Sequence, residues 1–110
     1  MTLRIFVVLF GAAFLAALGQ VLFKIGATGR EQLSAFINPW IIAGLAAYAL
    51  GTFFWIYSLS KATLTLVYPF TVLTFVLVYA FGTLVLHEPT TVKASAGVVL
   101  VLLGLFLIST

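Results

Sequence analysis

Residues 5–23 read IFVVLFGAAFLAALGQVLF and contain no charged side chain. A helix needs about 20 mostly apolar residues to cross the hydrocarbon core of a bilayer, so this stretch predicts a transmembrane helix. Arg4 precedes it, as a basic residue precedes the core of a secretory signal peptide. The apolar run is longer than such a core and further runs follow, so we interpret it as the first of several membrane-spanning helices.

The few charged residues divide the rest of the chain in the same way. Further apolar runs lie between Glu31 and Lys61, between Lys61 and His87, and after Lys93. Hydrophobic residues make up 65% of the 110 positions and charged residues only 6%, whereas a soluble domain carries roughly one quarter charged residues. The runs lack the alternation of barrel strands, so the backbone must satisfy its hydrogen bonds as helices. We predict an all-α membrane protein that functions as a dimer.

The predicted domain is a single four-helix transmembrane bundle over residues 1–110. Asn38 before Pro39 is typical of a helix cap followed by a first-turn proline, and Pro89 with Thr90 and Thr91 predicts a similar helix start. Pro69 is expected to bend or loosen the third helix. The predicted helices span residues 3–26, 39–59, 64–86 and 90–108.

The sequence lacks the reactive residues that several classes of function require. The chain has no cysteine and one histidine, so it offers no thiolate or histidine metal cluster. Neither paired carboxylates within a span nor a phosphate-binding glycine loop is present. The net charge of +3 is not arranged as a basic stripe for nucleic acid. We therefore predict neither an enzyme nor a cofactor, and no nucleic-acid partner.

Two groups of polar side chains within the spans are candidates for a substrate site. Gln20 and Lys24 share one face of helix one and could hold an anionic headgroup; alternatively, Lys24 reaches the interface and Gln20 bonds a neighbouring helix. Hydroxyl and aromatic side chains at spacings of three and four form a stripe on helix three. Such a stripe can line a substrate groove or simply serve helix packing. The stripe consists of Tyr68, Thr71, Phe75 and Tyr79.

The charged residues outside the spans gather mainly at one end of the predicted bundle. Lys24, Arg30 and Lys93 fall on the side of His87 and Glu88, whereas Arg4 and Lys61 fall on the other side. Glu88 could stabilise the positive end of helix four, tune the cationic cluster or contact an amino group of a substrate. Because the basic residues are nearly balanced between the two sides, insertion in both orientations is a hypothesis.

Glycines recur at a spacing of seven in three of the helices, which first indicates close helix packing. Helix four is otherwise nearly uniform Val and Leu, so its glycines are also a candidate subunit contact. Four helices enclose little space, and a translocation path is therefore expected to need two chains, as in transporters built from inverted repeats.

Four segments together resemble the small four-helix members of the drug/metabolite transporter superfamily. They are residues 19–24 (GQVLFK), 55–62 (WIYSLSKA), 67–69 (VYP) and 86–89 (LHEP), followed by Gly97 and Gly104. Among these members the chain most resembles subunits of the aminoarabinose-phosphoundecaprenol flippase, which share the first, third and fourth segments. The Gly-x-x-Leu-Val-x-x-Gly pattern at the end is similar to the dimer contact of the small multidrug resistance exporters.

The resemblance implies a flippase-like transporter of a polyprenyl-phosphate-linked sugar or similar anionic lipid, a multi-pass protein of a bacterial inner membrane. Its partners would be membrane lipid, that substrate, and a second subunit, either an identical chain (with an antiparallel pair as one arrangement) or a paralogue. The candidate substrate-binding residues are Gln20, Lys24, Arg30, Tyr68, Thr71, Phe75, Tyr79 and Glu88. The candidate dimer contacts are Gly97, Leu100, Val101 and Gly104.

Two alternative functions remain open at this stage. One is a small multidrug resistance-type exporter of small cations or metabolites. Those exporters carry a glutamate in helix one where this chain has Ala16, and a titratable group is expected in a proton-coupled path. The other is a noncatalytic subunit of a membrane glycosyltransferase complex.

Overall fold

Four apolar helical spans make up the protein, which we describe from a computed structural model covering residues 3–29 and 32–109. The predicted all-α membrane fold is confirmed: within these ranges the chain forms helices and turns and no strand. The α-helices are α1 (Leu3–Ala27), α2 (Pro39–Lys61), α3 (Leu64–Val67), α4 (Thr71–Leu84) and α5 (Val92–Ser109). Short 3₁₀ turns at Leu33–Phe36 and Tyr68–Phe70 complete the described elements.

Helix α1 is the most buried span: α2 and the third span pack on it, whereas α5 packs mainly on α4. In their most apolar windows, 39% of the α1 residues are buried but only 6% of the α5 residues. The bundle is thin, with principal extents of 44 × 35 × 18 Å. Most of its apolar side chains therefore face outward, as expected where lipid rather than water surrounds them.

Helices α1 and α2 approach each other closely because glycines face each other across the contact. A Cβ atom added at Gly19 would lie 2.9 Å from the Gly44 carbonyl oxygen, and one at Gly51 would lie 3.0 Å from the Ala12 carbonyl oxygen. Residues without side-chain bulk let two backbones approach in a membrane, where packing rather than water drives helix association. The predicted packing role of these glycines is confirmed.

The connection between α1 and α2 is organised by one asparagine. The Asn38 side-chain oxygen accepts hydrogen bonds from the backbone N–H groups of Trp40 (3.0 Å) and Ile41 (3.2 Å). Its amide nitrogen donates to the carbonyl oxygens of Gly26 (3.1 Å) and Ala35 (3.0 Å). Asn38 thus caps α2, as predicted, and also ties the start of α2 to the end of α1.

The third span, Leu64–Leu84, is interrupted where the sequence places Pro69. Helix α3 ends at Val67, and the 3₁₀ turn Tyr68–Phe70 leads into α4. A proline lacks the N–H group of a regular helix and its ring crowds the preceding turn. The predicted disturbance of this helix is confirmed, and it separates the span into two segments.

A small hydrophobic core joins α1, the third span and α5 near the amino-terminal end of α1. Phe70 is buried there and packs edge-on against Phe6, with ring centroids 5.1 Å apart. Leu105 is the buried residue that α5 contributes. The buried members of the core are Ile5, Leu9, Val67, Phe70 and Leu105.

Helix α5 begins later than the sequence suggested. Its first residue is Val92, and the Thr91 hydroxyl accepts a hydrogen bond of 3.0 Å from the Ala94 N–H. Thr91 therefore provides the side-chain cap, and Pro89 lies in the connection rather than in the first helical turn. This difference leaves Glu88 further from the helix start than expected.

We expect Gly19→Ala to destabilise the bundle because the added methyl group would press on the Gly44 backbone. Overpacking of this kind costs about 1–3 kcal/mol in free energy of unfolding. Gly11→Ala is the matched control on the same helix, since no atom lies within 4 Å of an added Cβ there. Reversible unfolding in detergent or bicelles measures both variants, and equal stabilities would contradict the close α1–α2 contact.

Candidate functional site

A cleft opens between α2 and α4 because both pack on α1 while hardly touching each other. It has a volume of about 710 Å³, and we call it the central cleft. It is lined by Ala12, Ala13, Ala16, Gln20, Tyr48, Gly51, Thr52, Trp55, Tyr68, Thr71, Thr74, Phe75 and Val78. Helix α1 forms its floor, and α2 and the third span form its two walls.

The cleft exists because its floor carries small side chains. Ala12, Ala13 and Ala16 face it from α1, and Gly51 continues the small surface onto α2. These residues hold α1 and α2 together without filling the space above them. The same small residues therefore allow the close helix contact and leave the space that forms the cleft.

Aromatic rings form much of the walls and leave the cleft open to the side. The rings of Trp55 on α2 and Tyr68 on the third span meet edge to face with centroids 6.5 Å apart. Tyr68 is 62% exposed, Phe75 50% and Tyr48 42%. A cavity whose walls are this exposed opens laterally, toward the region that lipid occupies around a membrane bundle.

Polar groups are spread over all three sides of the cleft. Gln20 contributes an amide from the floor, and hydroxyls come from Tyr48 and Thr52 on one wall and Tyr68, Thr71 and Thr74 on the other. The Thr52 hydroxyl donates to the Tyr48 carbonyl oxygen at 2.9 Å. Within residues 3–29 and 32–109, the Gln20 amide and the Tyr68 hydroxyl have no protein partner, so they can bond a ligand.

The cleft lies near the middle of the membrane-spanning helices. Its lining residues surround the midpoints of their spans: Leu15 in α1, Leu50 in α2 and Thr74 in the third span. At about 1.5 Å rise per residue, Gln20 lies roughly 8 Å along α1 from its midpoint. Pockets at this depth, with polar groups on an apolar wall, are typical of transporter binding sites.

The structure brings together four of the predicted substrate-binding residues and separates the rest. Gln20, Tyr68, Thr71 and Phe75 line the central cleft. Lys24 is exposed in the last turn of α1, one turn beyond Gln20, and does not line it. Arg30 lies outside the described residues. Tyr79 and Glu88 lie at the far end of α4 and beyond it.

Tyr79 departs from the predicted stripe by bonding to α5 and its approach. Its hydroxyl interacts with the Thr90 hydroxyl and, at 3.0 Å, with the Ser95 hydroxyl. This cluster connects α4 to the first turn of α5. Tyr79 thus connects α4 to α5. Residue spacing along α4 alone does not reveal these partners.

Glu88 folds back over the end of α4. Its N–H donates to the Gly82 carbonyl oxygen at 2.9 Å, and a Cβ added at Gly82 would lie 2.7 Å from a carboxylate oxygen of Glu88. His87 before it has a positive φ of 57°, which turns the chain back. Among the described residues, no three His, Cys, Asp or Glu side chains form a group that could hold a metal ion.

The contribution of α2 to the cleft was not predicted from the sequence. Tyr48, Thr52 and Trp55 lie three or four residues apart and so occupy one helix face. The same spacing that drew attention to the third span was present here. The sequence alone does not show that these two helix faces meet across α1.

The chain is similar in sequence to a flippase subunit. No protein-family model and no solved structure matches it significantly. A probable 4-amino-4-deoxy-L-arabinose-phosphoundecaprenol flippase subunit, ArnE, of Pseudomonas savastanoi pv. phaseolicola (strain 1448A / Race 6) is 29% identical over 103 residues. The match covers 89% of this chain and 90% of that relative.

This similarity extends over nearly the whole of both chains, so it applies to the entire bundle rather than to one helix. It confirms the resemblance to flippase subunits that the sequence motifs predicted. With its four apolar spans, the chain is a multi-pass membrane protein that is similar to a flippase subunit over nearly its whole length.

Proposed function

We propose that this chain is a subunit of a flippase that moves a polyprenyl-phosphate-linked sugar, or a similar anionic lipid, between the two leaflets. The observation that carries the proposal is the central cleft, which carries amide and hydroxyl groups on a mostly apolar wall, lies at mid-membrane depth and opens laterally between α2 and α4. The similarity to a flippase subunit supports the same class of substrate.

A lateral opening suits a lipid substrate because the headgroup and the tail prefer different surroundings. The headgroup would enter the cleft while the polyprenyl tail stays in the hydrocarbon outside. Keeping the tail in lipid avoids the cost of exposing it, about 0.8 kcal/mol for each CH₂ group moved to water. The protein then has to provide a polar path for the headgroup alone.

The cleft offers bonds that a sugar headgroup can use. Gln20, Tyr68 and Thr71 would replace part of the water that solvates the sugar hydroxyls, and the rings of Trp55 and Phe75 would cover its less polar faces. Both acidic residues of the chain, Glu31 and Glu88, lie outside the four spans in sequence. A cleft of this composition suits hydrogen bonding to an uncharged sugar better than proton-coupled binding of a cation.

We propose that Lys24 binds the phosphate of the polyprenyl-phosphate-linked substrate. It lies one helical turn from Gln20, about 6 Å along α1, at the carbonyl end of the helix where a cation is favoured. Its long aliphatic stem allows the ammonium group to reach along the helix surface. Contributions of Arg30, Tyr79 and Glu88 to substrate binding stay predictions.

A second subunit would complete the transport path against α5. Added Cβ atoms at Gly97 and Gly104 would meet no atom within 4 Å, and Leu100 is 67% exposed between them. This leaves a shallow face of small residues on which a partner helix can pack. We propose that Gly97, Leu100, Val101 and Gly104 contact a second copy or a paralogue.

Movement of the third span would open the cleft alternately toward the two leaflets. The turn at Tyr68–Phe70 divides that span, so α4 can tilt relative to α3 without breaking a continuous helix. Since Thr71 and Phe75 follow this break, a tilt of α4 would carry much of one wall of the cleft with it. The sugar would then face first one leaflet and then the other.

We expect Lys24→Gln to lower both the retention and the flipping of polyprenyl-phosphate lipid about tenfold, because a charge-assisted hydrogen bond contributes about 1.5–3 kcal/mol. Lys24→Arg should keep most of the activity. Lys93→Gln removes the same charge from an exposed position on α5 and is the matched control. Native mass spectrometry reports retention, and headgroup accessibility in proteoliposomes reports flipping.

Equal retention by the wild-type protein and Lys24→Gln would overturn the assignment of Lys24. Copurification of the lipid without flipping would assign the chain a binding role within a larger complex. Proton-linked uptake of small cations by the purified protein would instead favour an exporter.

A hydrated cleft should make a cysteine at Thr71 reactive. The chain has no native cysteine, so Thr71→Cys introduces a single thiol. Because the reactive thiolate forms only where water reaches it, we expect labelling by a water-soluble maleimide at least tenfold faster than at Val99→Cys. Val99 is an exposed position near the middle of α5. Equal labelling rates of the two variants would argue against a water-filled path.

Substitution of the α5 glycines should separate the subunits without unfolding the chain. Gly97→Leu with Gly104→Leu adds bulk where the single chain offers no clash, so we expect loss of the dimer at unchanged helix content. Gly11→Leu, which also meets no atom within 4 Å on α1, is the control. Single-molecule photobleaching in lipid counts the subunits; an unchanged dimer fraction would place the contact elsewhere.

A further inference from the structure

A second, smaller groove lies between the first turns of α1 and the last turns of α2. It is lined by Arg4 and Val8 of α1 and by Phe53, Phe54 and Tyr57 of α2. Its volume is about 220 Å³, and we call it the rim groove. Apart from Arg4 its lining is apolar or aromatic, so it combines a cation with a hydrocarbon-like surface.

The rim groove is separate from the central cleft. On α2 the cleft residues Tyr48, Gly51, Thr52 and Trp55 follow one face, whereas Phe53, Phe54 and Tyr57 occupy positions on the other side of the helix. The groove shares no lining residue with the cleft. A ligand in it would lie on the outer surface of the α1–α2 pair.

A second cation lies beside one of the residues that line this groove. Arg4 lines it directly, and Lys61 lies one helical turn beyond Tyr57, with its ammonium nitrogen 5.9 Å from the centre of the Tyr57 ring. An ammonium group at this distance from an aromatic ring is held by a cation–π interaction. Glu88 lies at the other end of the bundle, after α4, and Glu31 follows α1 in the sequence.

From this arrangement we infer that the rim groove binds an anionic phospholipid of the surrounding membrane. Arg4 and Lys61 bind its phosphate, and the Tyr57 hydroxyl adds a hydrogen bond. One acyl chain lies along Val8, Phe53 and Phe54. The inference does not depend on the proposed transport function.

The apolar lining selects a lipid rather than a free anion. Phe53 is 69% exposed in the protein alone, so an acyl chain would cover a large ring that otherwise contacts mobile lipid. Arg4 and Lys61 lie at helix ends, the depth at which phospholipid phosphates are found. A guanidinium group binds phosphate oxygens in a bidentate manner, which fixes the headgroup more precisely than net charge alone.

The test is lipid retention by the full chain, measured by native mass spectrometry after addition of phosphatidylglycerol or phosphatidylcholine. We expect the wild-type protein to retain phosphatidylglycerol preferentially. Arg4→Gln should weaken that retention about fivefold, since a basic residue near an anionic lipid surface contributes about 1 kcal/mol. Lys93→Gln, with the same loss of charge at the other end, should leave retention unchanged.

A second pair of variants tests the part of the groove that would bind the acyl chain of the lipid. Val8→Trp fills the groove without changing charge and should lower retention, whereas Val7→Trp, at a neighbouring position that is 63% exposed, should not. Unchanged retention in Arg4→Gln, or equal loss in Lys93→Gln, would overturn the proposal. Displacement of the lipid by inorganic phosphate at equal concentration would also overturn the proposal. Such a result would indicate a site that binds an anion but no acyl chain.

Discussion

The close contact between α1 and α2 is the constraint on which the rest of the structure depends. Gly19, Gly44 and Gly51 bring the two backbones so near that a single added methyl group would press on a carbonyl oxygen. In lipid no hydrophobic force pulls two apolar helices together, so this kind of backbone packing has to hold them. Asn38 adds hydrogen bonds that join the two helices at one end.

The same contact determines where the protein can bind a ligand. Since α2 and the third span both pack on α1 and hardly touch each other, they leave the central cleft between them. The floor is made of alanines because only small side chains allow both the packing and the open space. Helix packing and the open cleft thus rest on one set of small residues, and the larger surface of the cleft comes from its aromatic walls.

Among the residues that the structure describes, the charged ones lie at or beyond the ends of the spans, where their solvation is least costly. Lys24 and Lys61 both lie in the last turn of a helix, which favours a cation. The polar path between the ends is built from amide and hydroxyl groups instead. This division suits the proposed substrate, whose phosphate would remain near a membrane surface while its sugar crosses the interior. It leaves the Arg4 end free for the phospholipid inferred above.

The sequence by itself determined the four spans, the cap at Asn38 and the break at Pro69, because lipid requires long apolar helices and because asparagine and proline act on the backbone within a few residues. It also identified Gln20, Tyr68, Thr71 and Phe75 as polar or aromatic positions within spans. Only the tertiary structure showed that they meet Tyr48, Thr52 and Trp55 across α1, and that Tyr79 instead bonds to Thr90 and Ser95. Helix periodicity defines which face a residue occupies, whereas the partner of that face depends on packing between segments far apart in the chain.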